Sequence, residues 1–431
     1  MTQDLTRANP SVGRTEPATV RPARARIIGL DGVRGILCLM IAVTHVTGHY
    51  TPHTASVWKT NVFGFSLVYF FVLSGFLLSL PFIRNLIKDR ASALMPDVTD
   101  YTVHRFARIM PAYLVIFLFV NYVLQVAYVE NPLDASGGAD AGTGMITDPG
   151  MLAANLTLTQ SYFPAYLQTG INPSWSLTLE YAFYASLPLL FLAVFAMRKR
   201  INMNPLLLAC LVPAALLVIG MAGRAFIPLV NSRMATTDFM QLNWGAHWAA
   251  VFTKSFLTNA DNFALGMMAA IIFVAIEQGA LPERLTRRIR LLSVVAILPV
   301  LIGSALLLAI APQFVTAGVG VVAGLMVLII VTPLAQHRKS RLATALDFRP
   351  VRFVGEISLS AYLWHFPVLL MLGRFGWMSS DNLPGMLLNI VLVLAVTILM
   401  GSITYYLVEK PTMNYAKRVR ARKKAVSRAS A

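Results

Sequence analysis

The chain has 431 residues, is 57% hydrophobic and only 13% charged, and has a mean hydropathy of +0.65. Soluble domains carry roughly 25% charged residues, so a soluble globular protein is excluded and apolar runs of membrane-spanning length are expected. A formal net charge of +17 would suit a nucleic-acid binder if the chain were soluble, so its distribution decides its meaning.

Residues 1–26 are polar, rich in Pro, Thr and Arg, and read as a disordered basic tail. Apolar spans are predicted at 27–46, 62–80, 112–129, 175–197, 203–222, 261–277, 291–311, 315–335, 357–373 and 385–408. An even number puts both termini on one side, and 30 of the 36 Lys and Arg residues fall in the tails and connections of that side. By the positive-inside rule that side is the cytoplasm. The expected fold is therefore all-α: a polytopic transmembrane bundle of about ten spans with cytoplasmic termini. A single membrane domain covers 27–411, and a basic tail occupies 412–431. The high charge then reports topology and attraction to anionic lipid, with no nucleic-acid partner. The first span follows a long Arg-bearing tail and lacks a nearby small-residue cleavage site, so it is expected to remain in the protein.

That first span, "RGILCLMIAVTH", holds two residues that are costly in hydrocarbon, Arg34 and His45. Arg34 is near enough to one end to snorkel. Eleven residues separate the two by roughly 16 Å along a helix and about three full turns, which puts them on nearly one face at two depths. Such an arrangement suits a long ligand, charged at one end and reactive at the other. In "HVTGHYTPH" the four-residue spacing of His45, His49 and His53 resembles metal ligation, but Gly48 and Pro52 argue against a continuous helix and no carboxylate or thiolate is adjacent. His49 and His53 are read as exposed loop residues, and no metal is expected. Cys38 and Cys210 lie in apolar runs and read as small hydrophobes.

In the second span, "VLSGFLLS", Ser74 and Gly75 are expected to permit close helix packing. Arg105 and Arg108, in "HRFARIMPAY" just before the third span, read either as an ordinary anchor or as a phosphate clamp. Residues 130–172 contain no Lys or Arg and include "DASGGADAGTG", expected to be a flexible outer loop. Glu180, about one turn inside the fourth span, needs a partner, and His45 lies at comparable depth. Residues 223–260 read as an interfacial outer loop with Trp244 and Trp248 at headgroup depth. "GEISLSAYLWHFPV" adds Glu356 and His365, the latter reading equally well as packing or function. No repeated halves of the kind found in many transporters are visible. A carrier in which Arg34, His45 and Glu180 line a proton or substrate path is nevertheless the rival class.

Taken together, "LDGVRGILCLMIAVTH", "FFVLSGFLLS", "HRFARIMPAYL", "PSWSLTLEYAFY", "ISLSAYLWHFPV" and "YYLVEKP" occur in order over residues 27–411 and resemble the acyltransferase 3 family of integral-membrane O-acyltransferases. The resemblance implies that an acyl group, commonly acetyl, passes from cytoplasmic acyl-CoA to a hydroxyl, often of a sugar, at the outer side. It makes His45 the general base or acyl-transfer residue and Arg34 essential for the donor. Arg105 and Arg108 fall where the family holds CoA phosphates, and Glu180 falls near the acceptor. Acyl-CoA is then a donor substrate, with no permanently bound cofactor. The acceptor would be an envelope sugar, a glycolipid or a small molecule such as a macrolide, in a multi-pass protein of the cell membrane. Some members carry a fused SGNH-type domain that this sequence lacks, which implies a separate extracytoplasmic transferase or direct transfer. Arg outnumbers Lys 27 to 9, in keeping with a GC-rich bacterial genome and actinobacterial acceptors.

Overall fold

A computed structural model describes residues 26–136 and 140–429, so the predicted tail at 1–25 lies outside the described residues. The spanning helices are α1 (Leu30–Tyr50), α2 (Ser66–Leu86), α3 (Val98–Phe119), α4 (Trp175–Arg200), α5 (Pro205–Asn231), α6 (Ala260–Glu277), α7 (Glu283–Ile310) and α8 (Val315–Ala335), followed by a bent pair, α9 (Arg349–Glu356) and α10 (Ser358–Arg374), and then α11 (Leu383–Thr404). Among the described residues nine helices are long and apolar enough to cross a membrane, or ten if the bent pair counts as one. The only strands described are Ala127–Tyr128 and Thr143–Gly144, paired antiparallel.

Close crossings place the site helices. A Cβ on Gly75 would stand 2.1 Å from the carbonyl oxygen of Phe263, and one on Gly266 would stand 1.9 Å from that of Val72. Any larger residue would force α2 and α6 apart, which is the use of small residues where helices pack without a hydrophobic drive.

The bend of 75° between α9 and α10 has a plain cause. α9 carries Arg349, Arg352 and Glu356, which favour the polar boundary, whereas nearly every side chain of α10 is buried. Seventeen residues rise only about 25 Å, short of a full bilayer core, so α10 sits inside the bundle rather than facing lipid. Glu356 is exposed and pairs with Arg352 at 3.5 Å.

Several boundaries differ from the sequence reading. α1 continues through Gly48 to Tyr50, and Pro52 opens a separate short helix, Pro52–Trp58. His49 is therefore a half-buried helix residue beside Tyr50 and Phe366, not a loop residue, while His53 is exposed in the first turn of the short helix. The third helix starts fourteen residues before the predicted 112, capped by Asp97, whose side chain accepts from Asp100 N. Arg105 and Arg108 thus lie within it. α5 runs to Asn231, and α11 passes through a π-turn, Tyr405–Glu409, into a basic helix, α12 (Lys410–Ala429).

The largest correction concerns 130–172. Outside 137–139, which lie beyond the described residues, this segment is a folded cap and not a flexible loop. Ile146, Leu158, Leu167 and Ile171 are buried, and buried amides tie its backbone down. Asn121 clamps Ile146 N at 2.7 Å, Asn131 Nδ2 donates to the Trp244 carbonyl at 2.7 Å, and Asn155 Nδ2 donates to Thr169 Oγ1 at 3.0 Å. Arg374 adds bonds to the carbonyls of Leu124 and Gln125.

Candidate active site

Two polar centres meet inside the bundle. The first is a narrow cavity into which α1 contributes Arg34, α2 Ser74, α3 Arg105 and Arg108, and α4 Ser176, Glu180 and Tyr184, with Tyr362 of α10 at its far end. Arg105 and Arg108 are three apart on α3 and so share a face. Three guanidinium groups against one lining carboxylate leave the cavity net positive. Arg105 Nε is buried without a hydrogen-bond partner among the described residues, a cost that an anionic ligand would remove. Planar guanidinium forks fit phosphate well.

Glu180 does not meet His45. Its Oε1 accepts from Ser74 Oγ at 2.5 Å, on the Arg side of the site. α4 turns the carboxylate into the Arg cavity instead. A second carboxylate, Glu409, is buried in the π-turn, accepts from Ser360 Oγ at 2.9 Å and is within electrostatic reach of Arg108 and Arg34. Short π-segments are frequent at functional sites.

The second centre is a pair of imidazoles. His45 Nδ1 lies 2.8 Å from Nε2 of His365, with ring planes 7° apart, and Phe366 packs edge-on against His45. His365 is fully buried and His45 is half-buried. His365 Nδ1 faces the carbonyl oxygen of Tyr362, an acceptor only, so the network assigns the proton to that nitrogen. In the neutral ring Nε2 then offers a lone pair, and His45 Nδ1 donates to it. The consequence falls on the other side of the ring: His45 Nε2 is left unprotonated, with no hydrogen-bond partner among the described residues. It is the nitrogen available as a base.

Tyr362 joins the two centres. Its hydroxyl is 2.7 Å from Ser176 Oγ and donates to the Pro173 carbonyl at 2.9 Å, at the end of the Arg cavity. Its carbonyl orients His365 three residues further along α10, a rise of about 4.5 Å. The imidazole pair therefore lies one helical turn beyond the cavity. The start of α4 is held by Lys254, whose Nζ stands 3.2 Å from the ring centroid of Trp244 and 5.2 Å from that of Trp175. Burial pushes its ammonium down to about 7. Trp244 is thus half-buried in this cluster, and Trp248 is the exposed indole.

Comparison with known proteins decides the family. Residues 27–407 match the family described as an acyltransferase domain, type 3.

The chain belongs to the acyltransferase 3 family.

Among curated relatives, it is 27% identical over 426 residues to Acyltransferase MdmB of Streptomyces mycarofaciens, covering 93% of this chain and 95% of that protein. It is 23% identical over 394 residues to Peptidoglycan O-acetyltransferase OatA of Listeria monocytogenes, covering 91% of this chain and 57% of that protein. O-acetyltransferase OatA of Staphylococcus aureus matches at 22% over 387 residues, 89% of this chain and 56% of the relative. The chain therefore spans little more than half the length of the OatA relatives. No solved structure matches it. Multi-pass helices together with this family make the protein a membrane O-acyltransferase, and the carrier reading gives way to an enzyme.

Of the residues singled out in the sequence, Arg34, Arg105, Arg108 and Glu180 come together in one cavity, while His45 stands apart with His365. His365 was visible as a lone imidazole in an apolar run, with its role open. Ser74 was read as a packing residue and also bonds Glu180. Tyr362 and Ser176 gave no signal of their own, and Glu409 stood in the quoted "YYLVEKP" without a role.

Proposed function

We propose that the protein moves an acyl group, in the first instance acetyl, from cytoplasmic acyl-CoA to a hydroxyl of an envelope sugar or glycolipid. The observation that supports this reading most directly is the order along α10: an Arg-lined cavity ending at Tyr362, and one turn beyond it an imidazole pair with one free base nitrogen. A CoA thioester has that polarity, with phosphates at one end and the reactive carbonyl at the other. Arg34, Arg105 and Arg108 hold the phosphate-bearing portion. His45 Nε2 takes the proton of the acceptor hydroxyl as its oxygen attacks the thioester carbonyl, and the C–S bond breaks. The imidazolium returns the proton to the departing thiolate. Base catalysis of this kind is typically worth about 10² to 10⁴ in rate.

Glu180 is assigned to the donor side, where it and Ser74 position the cavity. The Arg and Lys asymmetry supports a cytoplasm-facing cavity and cytoplasmic termini in a multi-pass plasma-membrane protein. The acceptor approaches His45 from the opposite side, beneath the folded cap, either directly or through a separate extracytoplasmic transferase. A diffusible hydroxylated small molecule, such as a macrolide, is the second acceptor class. It is favoured by the match over 95% of MdmB against 57% of OatA.

The test is purified protein in liposomes given acetyl-CoA labelled in the acetyl group, with free CoA and label followed for wild type and His45→Ala. CoA release lost in the variant, with label recovered in an envelope glycolipid fraction, supports the reading. Wild type that neither binds nor consumes acetyl-CoA or longer acyl-CoAs in the presence of acceptors sinks the donor assignment.

A further inference from the structure

A second polar cavity, of about 300 Å³, opens between the start of α7 and the end of α8, away from the site described above. We infer that it binds the phosphate of an anionic glycerophospholipid, whose acyl chains lie along the exposed apolar face of α7.

Charge is the first support. Arg287 and Arg290, three apart on α7, both line the cavity, and neither has a hydrogen-bond or ion-pair partner among the described residues. The one lining carboxylate, Glu283, is already paired with Arg338 at 2.7 Å on the rim. Counting Arg287, Arg290 and Arg338 against Glu283, the lining is +2, with two guanidinium forks free.

The second support is a hydroxyl. Thr286 is 1% exposed and lines the cavity, yet its Oγ1 has no hydrogen-bond partner among the described residues. Helical hydroxyls in apolar surroundings ordinarily bond back to the carbonyl four residues earlier. The other two on α7 do so, Ser293 to Ile289 at 2.8 Å and Ser304 to Val300 at 2.7 Å. Thr286 Oγ1 does not, so a buried donor is left for something that enters the cavity.

Depth selects the source of the phosphate. Immediately after Arg290 the helix exposes Leu291 and Leu292, 61% and 64% accessible, and the exposed apolar face continues through Val295 and Leu298 to Ile310. The cavity is thus at the boundary between headgroup and hydrocarbon, where basic pockets between helices meet anionic lipid. A free phosphate would satisfy the Arg pair but leave the adjoining apolar strip unused.

The experiment is native mass spectrometry of the full chain in detergent, titrated with phosphatidylglycerol and, separately, phosphatidylcholine. Wild type is expected to retain phosphatidylglycerol in preference. Arg287→Ala/Arg290→Ala is expected to cut that retention roughly 25-fold, from about fivefold per arginine. Arg284→Ala/Arg288→Ala removes the same charge from the same helix outside the cavity, and is expected to leave retention near wild type. Thr286→Val, of similar shape, should weaken retention without lowering the melting temperature of the lipid-free protein. It also carries the test if the double-alanine variant fails to fold. Equal retention of the two lipids, equal loss in both arginine pairs, or unchanged retention in Thr286→Val overturns the inference. Displacement of phosphatidylglycerol by millimolar inorganic phosphate assigns the cavity to free phosphate and also overturns it.

Discussion

His45 Nδ1 donates to Nε2 of the buried His365, 2.8 Å away, and that bond fixes which nitrogen of His45 is basic. His365 is thus a positioning residue, set by its own bond to the Tyr362 carbonyl. His45→Ala is expected to lower kcat by about 10² to 10⁴. His365→Ala should cost a comparable factor by releasing the tautomer, as losing an orienting partner does in hydrolytic triads. His365→Gln, whose amide oxygen can still accept from Nδ1–H, should recover part of it and leave the KM for acyl-CoA unchanged. A structural role alone would show no such rescue and would instead lower the melting temperature.

The Arg cavity predicts the complementary kinetic signature. Loss of a charge-assisted bond to phosphate is worth about 1.5 to 3 kcal/mol, roughly 10- to 150-fold in donor affinity. Arg105→Ala and Arg108→Ala are expected to raise the KM for acyl-CoA by that factor, with a smaller effect on kcat. Lysine at either position keeps charge but loses the planar fork, so it should restore only part of the affinity. Equal KM for wild type and both alanine variants would remove these residues from the donor site.

Much of this arrangement is legible in the sequence, and the misses have physical causes. Arg34 and His45 are readable because an ionisable group in an apolar run is expensive whatever surrounds it. The pairing of Glu180 is not readable, since span position gives depth but not azimuth. Equal depth suggested His45, whereas the turn of α4 delivers the carboxylate to Ser74. The folded cap at 130–172 was hidden because its order rests on buried Asn121, Asn131 and Asn155 bonding to distant backbone. Amides are also the residues of loops, and nothing local distinguishes the two uses. The start of the ninth span at 357 is readable as the change from charged to apolar residues, but the 75° bend there is not, because a helix angle is set by tertiary packing and not by local composition.

Glu180 itself supplies a discriminating test. With its carboxylate the one acidic group lining the Arg cavity, Glu180→Gln makes that cavity more positive and is expected to lower the KM for acyl-CoA and leave the acceptor KM unchanged. Ser74→Ala should change the donor KM less, since it removes one bond and no charge. Steady-state kinetics varying donor and acceptor separately decide the matter. An effect confined to the acceptor KM would return Glu180 to the acceptor side, and full turnover in Glu180→Gln would remove it from the site altogether.

A last prediction concerns stability, away from the chemistry. Arg224 of α5 grips Asp261 of α6 through two bonds of 3.0 and 3.1 Å, and its Nη1 reaches the Gln313 carbonyl and Thr316 at the start of α8. Both side chains are almost fully buried, 4% and 0% exposed, so the desolvation cost has already been met and removing one partner strands the other. Asp261→Asn is expected to destabilise the protein by about 3 to 5 kcal/mol, read as a lower melting temperature in detergent. Because an apolar pair of similar volume avoids the stranded charge, Arg224→Met/Asp261→Leu should recover most of that loss. The residual deficit would measure what the Gln313 and Thr316 bonds add in joining three helices. A single variant as stable as wild type would show that water reaches this pair, and α5, α6 and α8 would then be held by packing alone.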